Sequence, residues 1–597
     1  VPLLKDSEPE VRQMAAFALG LIHDPQAREP LVAALDDPAA VGKGSAAEAL
    51  GLIGDASAAP AIAAMAAKVL DAGALAPLPS DEMDAVRDTP PAAFRLALSA
   101  LVRLKQFDAL SSVVLDAAAQ PRVRWWPVAF ALQRLEDPRA LPALLTLLNE
   151  PHPYTRAFAA KGLGAMQSAD AGAALVSLID APEMNVAVEA IRSLGRLKFA
   201  AASAPLIRLI RAPAADAHLR LEAVSVLGAV GGPGLNDLLI DLLGDANPSI
   251  RAAAIRSLAQ VEPQGFMTIL SGLDSDPSWN VRAALASTLG TLTPEAGLPR
   301  LRMMLTDAEP KVIPAVLAAI ARLHPDDAGR IMLEQLKAAD PVIRAAAAQA
   351  LQDLKADGAA PALAEAYDRG LGDPGYVART AALAALAAYG AERATPVLTN
   401  ALGDKDWAVR VRAAELLRTI DPRSETSHRI RPVATSVNVA VYESPALINP
   451  PFSTEATIDT DRGAIRIELA MLDAPLTVAN FVTLARQGFF NGLPIHRVVP
   501  DFVMQGGDPR GDGEGGPGYT IRDEINQRPY VRGAVGMALD WADTGGSQFF
   551  ITHSPQPQLD ARYTVFGRVI SGMDVVDQIR PSDVIRRVTI WDGVSRN

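Results

Sequence analysis

Over residues 1 to about 421, apolar positions recur at helical spacing in Ala-rich runs cut by Pro and acidic turns; beyond residue 454 they alternate over short stretches. The first regime predicts helix pairs and the second predicts strands. Within the first, a motif recurs: an acidic or Pro turn, an apolar residue, a basic residue, an Ala-rich stretch and often Leu-Gly. Its basic position falls at Arg12, Lys43, Arg95, Arg124, Arg156, Arg220, Arg251, Arg282, Arg344, Arg379 and Arg410, with Ala187 and Ile313 in phase. Arg251, Arg282, Ile313 and Arg344 follow one another at intervals of 31 residues, as do Arg379 and Arg410. So steady a period means stacked supersecondary units.

Inside one unit, 141–149 reads as a helix with Pro142 in its first turn, Glu150-Pro151 stops it, and 154–163 reads as a second helix. Gly164 is expected to close that helix in a left-handed cap. A Gly stands eight residues after the key position at Gly20, Gly51, Gly164, Gly195, Gly228 and Gly290, so the helices share a length. One pair cannot bury its own apolar face, which predicts a curved α-solenoid of about thirteen pairs. The array resembles HEAT repeats of the short, Ala-rich, bacterial kind. Its arginines are expected to bond carboxylates or helix ends along the stack, with substrate binding as the alternative. An insertion between Lys43 and Arg95, with Pro77, Pro79, Pro90 and Pro91, breaks the register as a rim loop or a docking feature. Trp125-Trp126 reads as core, with a contact patch as the alternative.

From 422 to 453 the period stops and Ser, Thr, Pro and Val take over, predicting a linker with one added strand at 437–442. Then 457–460 and 464–469 flank the turn Asp461-Arg462-Gly463 as a hairpin. A helix is predicted over 474–487, strands over 494–499, 502–505, 535–539, 548–552 and 564–570, a helix over 573–579 and a closing strand over 587–591. The division is therefore 1–421, 422–453 and 454–597.

Composition narrows the function. A net charge of -12 and a pI near 5.2 leave no basic field for nucleic acid or anionic headgroups. The absence of cysteine removes disulfides, thiolate metal sites and cysteine nucleophiles. It suits a periplasmic or otherwise extracytoplasmic protein, although an Ala-rich cytosolic chain can also lack cysteine. The most apolar run, 58–79, is interrupted by Lys68 and Asp71, so no membrane span is expected. No signal peptide stands at Val1, and 1–6 reads as the tail of a helix with residues expected before it.

The chemistry gathers in His496-Arg497-Val498-Val499-Pro500-Asp501-Phe502-Val503-Met504-Gln505-Gly506-Gly507-Asp508. Two apolar alternations broken by Pro500 predict two short strands, with Arg497, Phe502, Val503 and Gln505 emerging on one face. An apolar floor with a few polar groups is how small-ligand pockets are built. This block, then Gly546-Ser547-Gln548-Phe549-Phe550, Leu559-Asp560 and Tyr563-Thr564-Val565-Phe566-Gly567, resembles the signature blocks of the cyclophilin family of peptidyl-prolyl cis-trans isomerases, in order and spacing. The resemblance covers about 454–597.

It implies a closed antiparallel β-barrel with two helices and rotation about X-Pro bonds, with no cofactor and no metal. By resemblance Arg497 is the donor to the twisting amide, and Phe502, Val503, Phe550 and Leu559 floor the proline pocket. Gln505 orients Arg497 and the substrate carbonyl, Ala538 and Leu539 hold the peptide through backbone groups, Gln548 lines the adjoining subsite, and Tyr563 closes the far side. Three positions depart from the family pattern. Leu539-Asp540-Trp541 stands where many relatives have a small, Asn-containing run, Gln558 where many carry Trp, and Tyr563 where many eukaryotic members carry His. The Trp position is a contact for cyclosporin, so weak binding of that drug is expected. His496 is expected to be a buried imidazole bonded to nearby backbone, and the other histidines lack metal-ligand spacing. Gly506-Gly507 and 511–518 lack the Lys-Ser/Thr of a phosphate loop. The expected function is a prolyl isomerase for protein clients with X-Pro bonds, recruited by a protein partner surface on the solenoid. The rival is a non-catalytic scaffold or assembly subunit that holds proline segments.

Overall fold

The computed structural model describes residues 1–76, 78, 88–423, 426, 429, 430, 454–591 and 593. Its first part alternates long and short helices. Long ones such as Pro248–Val261 and Pro341–Leu354 start on Pro, behind Asn247 and Asp340, whose side chains accept from Ser249 N–H and from Val342 and Ile343 N–H. Such caps stabilise by about 1 kcal/mol each and set where the helix begins. Each long helix packs on the next, from Pro9–Ile22 to Trp407–Ile420, with the short helices on the flank. The described residues hold twelve complete pairs followed by Trp407–Ile420.

The repeated glycines serve a different purpose from the expected one. Gly164 has φ −60°, right-handed rather than left-handed, and a Cβ there would come within 2.5 Å of Ser193 Oγ. A Cβ on Gly51 would lie 2.7 Å from Ala100 Cα, and one on Gly290 2.7 Å from Ala319 Cβ. The glycines are there because consecutive long helices touch at those points.

The arginine ladder takes the structural form. Arg251 and Arg282 each reach forward to the acidic turn before the next long helix, at Asp276 and Asp307, both at 2.7 Å. Each also donates to a carbonyl of its own turn, Asp245 O and Asp276 O, at 2.8 Å. One side chain thus ties two repeats and satisfies a turn. Where the register breaks, Ala59–Asp71 lengthens the short helix, and Pro90 and Pro91 open Pro90–Arg103, which stacks on Ala40–Ile53. Pro77 and Pro79 lie outside the described residues. Trp125 and Trp126 are buried, with Trp126 5.9 Å from Phe158, so they are core.

The second part is one curled antiparallel sheet of β1 (Glu455–Thr460), β2 (Gly463–Leu469), β3 (Arg497–Val499), β4 (Val503–Gly506), β5 (Ala534–Met537), β6 (Phe549–Thr552), β7 (Val565–Ser571) and β8 (Ile585–Trp591). Its order is β3-β4-β6-β5-β7-β2-β1-β8. Of the expected closed barrel, the named ladders form the curled sheet. The end strands β3 and β8 share no ladder, and the gap is bridged by the segment before β3, where Ile495 N–H donates to Asp583 O and Ile585 N–H to Leu493 O. Pro494 lacks the N–H a continuous ladder would need. The helix Pro475–Arg486 buries Val478, Phe481 and Leu484 against the sheet, and Phe481 meets Phe490, Phe549 and Phe566 within 5.7 Å. A second helix spans Met573–Gln578. The expected strand at 437–442 lies outside the described residues.

The array embraces the sheet from its first repeats to its last. Gln13 donates to Gln527, Arg103 to Asp560 O, Arg192 to Pro500 O, Tyr376 to Asp540 and Trp407 to Asp543, and Arg510 pairs with Asp340. Among the described residues no helix is long and apolar enough to cross a membrane.

Candidate active site

β3 and β4 form a hairpin in which Arg497 faces Gln505, Val498 faces Met504 and Val499 faces Val503. Pro500 and Asp501 make its turn, with Asp501 at φ 60° and Phe502 N–H returning to Val499 O. That register decides the site. Side chains two apart share a sheet face, so Arg497, Val503 and Gln505 come together, as the alternation predicts.

Arg497 is exposed at the rim, its guanidinium 5.5 Å from the Phe502 ring centroid, with Nη1 donating to Gln505 Oε1 at 3.3 Å. Partial burial lowers its pKa, yet it stays a cation at any working pH. Gln505 Nε2 donates onward to Gln548 Oε1 at 2.9 Å, and Gln548 Nε2 to the carbonyls of Gly513 and Gly515. The donor is thus oriented by a run of amides anchored in a loop.

Beside it lies an apolar cluster separate from the main core. Val503, Phe550, Leu559, Val565, Tyr530, Val531 and Ala534 are buried, with Phe502, Ala538 and Tyr563 at the edge. Phe550 stacks on Tyr530 at 5.5 Å and meets Tyr563 edge-on at 5.8 Å. Gly536 lets Phe550 lie flat, since a Cβ there would come within 2.4 Å of Phe550 Cζ and of the Tyr530 hydroxyl. Of the residues expected to bind or act, Phe502, Val503, Ala538, Phe550, Leu559 and Tyr563 belong to this cluster, Arg497 stands over Phe502 and is joined to Gln505 and Gln548, and Leu539 packs on the main core of the sheet. Tyr530 was missed, because it stands outside the signature blocks; its contacts with Phe550 and with Asp560, whose carboxylate accepts from Tyr530 N–H at 2.7 Å, tie it to them.

Two readings change with the geometry. The Ala538 N–H already donates to Gln548 O at 3.0 Å, so a client can meet only its carbonyl. Neither ring nitrogen of His496 has a protein partner, unlike the expected imidazole bonded to backbone. The Trp541 ring meets Tyr376 edge-on at 5.4 Å and lies under Arg412, while Asp540 accepts from the Tyr376 hydroxyl at 2.8 Å. In the unusual Leu539-Asp540-Trp541 run, Asp540 and Trp541 are thus turned toward the helical array, while Leu539 packs against the core of the sheet. No group of three or more potential metal ligands occurs among the described residues.

A curled sheet thus carries a guanidinium beside an apolar notch. The cyclophilin type peptidyl-prolyl cis-trans isomerase family matches residues 455–592. HEAT repeats match 1–72, 107–187, 172–259 and 236–321, and a PBS lyase HEAT-like repeat matches 378–404. A peptidyl-prolyl cis-trans isomerase of Synechococcus elongatus is 49% identical over 139 residues, 23% of this chain and 96% of that protein. One of Helicobacter pylori is 50% identical over 137 residues, 22% of this chain and 84% of that protein. Peptidyl-prolyl cis-trans isomerase B of Bacillus subtilis is 50% identical over 132 residues, 22% of this chain and 92% of that protein. Through its C-terminal part the chain belongs to the cyclophilin-type peptidyl-prolyl cis-trans isomerases, joined here to an N-terminal HEAT-repeat array.

Proposed function

We infer that the C-terminal part turns over X-Pro bonds in protein clients and that the helical array recruits those clients. The observation that carries the reading is the Arg497 guanidinium, held by Gln505 at the lip of the notch floored by Val503 and Phe550.

The X-Pro amide holds cis and trans close in energy behind a barrier of about 20 kcal/mol, and crosses it unaided in tens to hundreds of seconds. Reaching milliseconds requires about four to five decades, or about 6–7 kcal/mol. No covalent bond breaks, so neither nucleophile nor general base is required. As the C–N bond twists, nitrogen regains its lone pair, and a fixed donor beside it stabilises that form over the planar one. Arg497 takes this role and supplies about 3–4 kcal/mol, by analogy with preorganised donors elsewhere. The remainder comes from holding the proline ring on Phe502, Val503, Phe550 and Leu559 while the acyl side rotates. Gln505 orients Arg497 and the substrate carbonyl, Gln548 continues the groove, Tyr563 closes the far side, and Ala538 and Leu539 present backbone.

A second reading is a scaffold that grips proline segments without turning them over. It draws on the Leu539-Asp540-Trp541 run, which contacts the array at Tyr376 and Arg412. The full chain assayed on a short proline peptide separates the two. Isomerisation that disappears in Arg497→Ala supports the enzyme; binding without turnover in either form supports the scaffold.

A further inference from the structure

Between the array and the sheet lies a cavity of about 520 Å³ to which both parts contribute, within the range of about 300–1,000 Å³ for ligand sites. The sheet supplies Gln505, Gln548, Ala538 and the loop 513–520; the array supplies the turn 373–377 and the start of the helix Pro341–Leu354. Gln505 and Gln548 line the cavity and also orient Arg497, so it opens directly from the catalytic notch. An extended client seated at Arg497 runs into a space whose far wall is helical repeat.

The charges of that space do not balance. Its lining arginine, Arg510, is committed to Asp340 at 3.0 Å and Asp512 at 2.9 Å. Asp373 and Asp406 are held by Arg344 and Arg379. Among the described residues neither Glu514 nor Asp540 makes an ion pair, although Arg510 lies near Glu514; Asp540 takes the neutral hydroxyl of Tyr376. Burial, and then the nearness of Asp540, Asp512 and Asp508, push the Glu514 carboxyl up to about 7 against the smaller opposing pull of Arg510. Pro341, Val342 and the Tyr376 ring give an apolar flank along which the stem of a long cationic side chain can lie with its head at the carboxylates.

We propose that the turn 373–377 of the helical array is the second wall of the client groove, and that Tyr376, Asp540 and Glu514 select clients carrying a lysine or arginine close to the X-Pro bond. This rests on the isomerase reading and adds a role for the array: it shapes specificity at the site itself. Tyr376 is a positioning residue here, because its hydroxyl holds Asp540 toward the cavity while its ring braces Trp541.

The test uses the full chain and peptides sharing one X-Pro core, with Lys, Ala or Glu at the second and third residues on either side. At one of these positions the Lys peptide should exceed the Glu peptide in kcat/KM by about tenfold, the scale of an unscreened charge contact in a half-enclosed site. The ratio should fall to within about twofold in Glu514→Gln/Asp540→Asn, and partway in Tyr376→Phe, which keeps the ring and loses the hydroxyl. Equal Lys and Glu peptides at every position, or a ratio that survives the double substitution, overturns the proposal. Turnover of the Ala peptide in those cases leaves the isomerase reading standing. If no peptide is turned over, that reading fails instead, and calorimetric titration with the Lys and Glu peptides decides the cavity: tighter Lys binding supports it, equal binding overturns it.

Discussion

Arg497 and Gln505 are register partners across the β3–β4 ladder, and the guanidinium Nη1 donates to the amide Oε1 at 3.3 Å. The pairing fixes the direction of the cation by backbone geometry and leaves its other donors for a client. Arg497→Ala should therefore lower kcat/KM on a proline peptide by about 100- to 1,000-fold. Because Arg497 is exposed, the unfolding midpoint should move little, a change of about 0.5 kcal/mol or less. Isomerisation kinetics and thermal unfolding on one preparation check both halves; full activity in the variant would sink the mechanism.

Trp541 holds the groove loop to the array through Tyr376 and Arg412. Trp541→Ala should cost about 2 kcal/mol of packing at this contact. Amide exchange should then quicken in 539–545 and 373–377 while β5 and β6 keep their protection, as expected when one docking contact loosens and the sheet does not.

Arg282 carries the ladder between two repeats, bonding Asp307 and the carbonyls of Asp276 and Pro277. Arg282→Ala leaves Asp307 partly buried without its cation and should destabilise the array by about 2–3 kcal/mol. Arg330, on the exposed flank, pairs with Asp327 and Glu334 at the surface, and Arg330→Ala should cost less than about 1 kcal/mol. Denaturant unfolding of both variants tests the contrast.

Asp501, at the hairpin turn, is buried against the array. Burial first, then Glu189, pushes its carboxyl up to about 7. A carboxyl raised in the folded state keeps its proton after the unfolded chain has lost it, so its contribution is full below about pH 4 and is lost as pH rises through 7. Asp501→Asn removes that loss and tolerates the positive φ of 60°. The variant should match the parent near pH 4 and exceed it by up to about 4 kcal/mol above pH 7. Unfolding midpoints across that range check the sign; a variant less stable at pH 8 would refute it.

What could be read without coordinates follows from local physics. The interval of 31 residues, the Pro-led helix starts and the alternation around Pro500 are short-range signals, and they suffice to place helix pairs, the hairpin and the shared face of Arg497, Val503 and Gln505. The same signals misassigned Gly164, because a glycine that admits a neighbouring helix and one that turns left-handed look identical along the chain. They also left Tyr530 unread, since it stands in the segment before β5 and only the pairing of β5 with β6 puts it beneath Phe550.

The chain's own order of residues thus determined the repeat, the sheet and the chemical kind of site, all encoded within a few turns or strands. Only the tertiary structure decided that β3 and β8 stay unpaired, that the array closes around the sheet, and that Asp540 and Trp541 answer to Tyr376 and Arg412. Those outcomes depend on which surfaces meet between segments far apart along the chain, and periodicity carries no information about that.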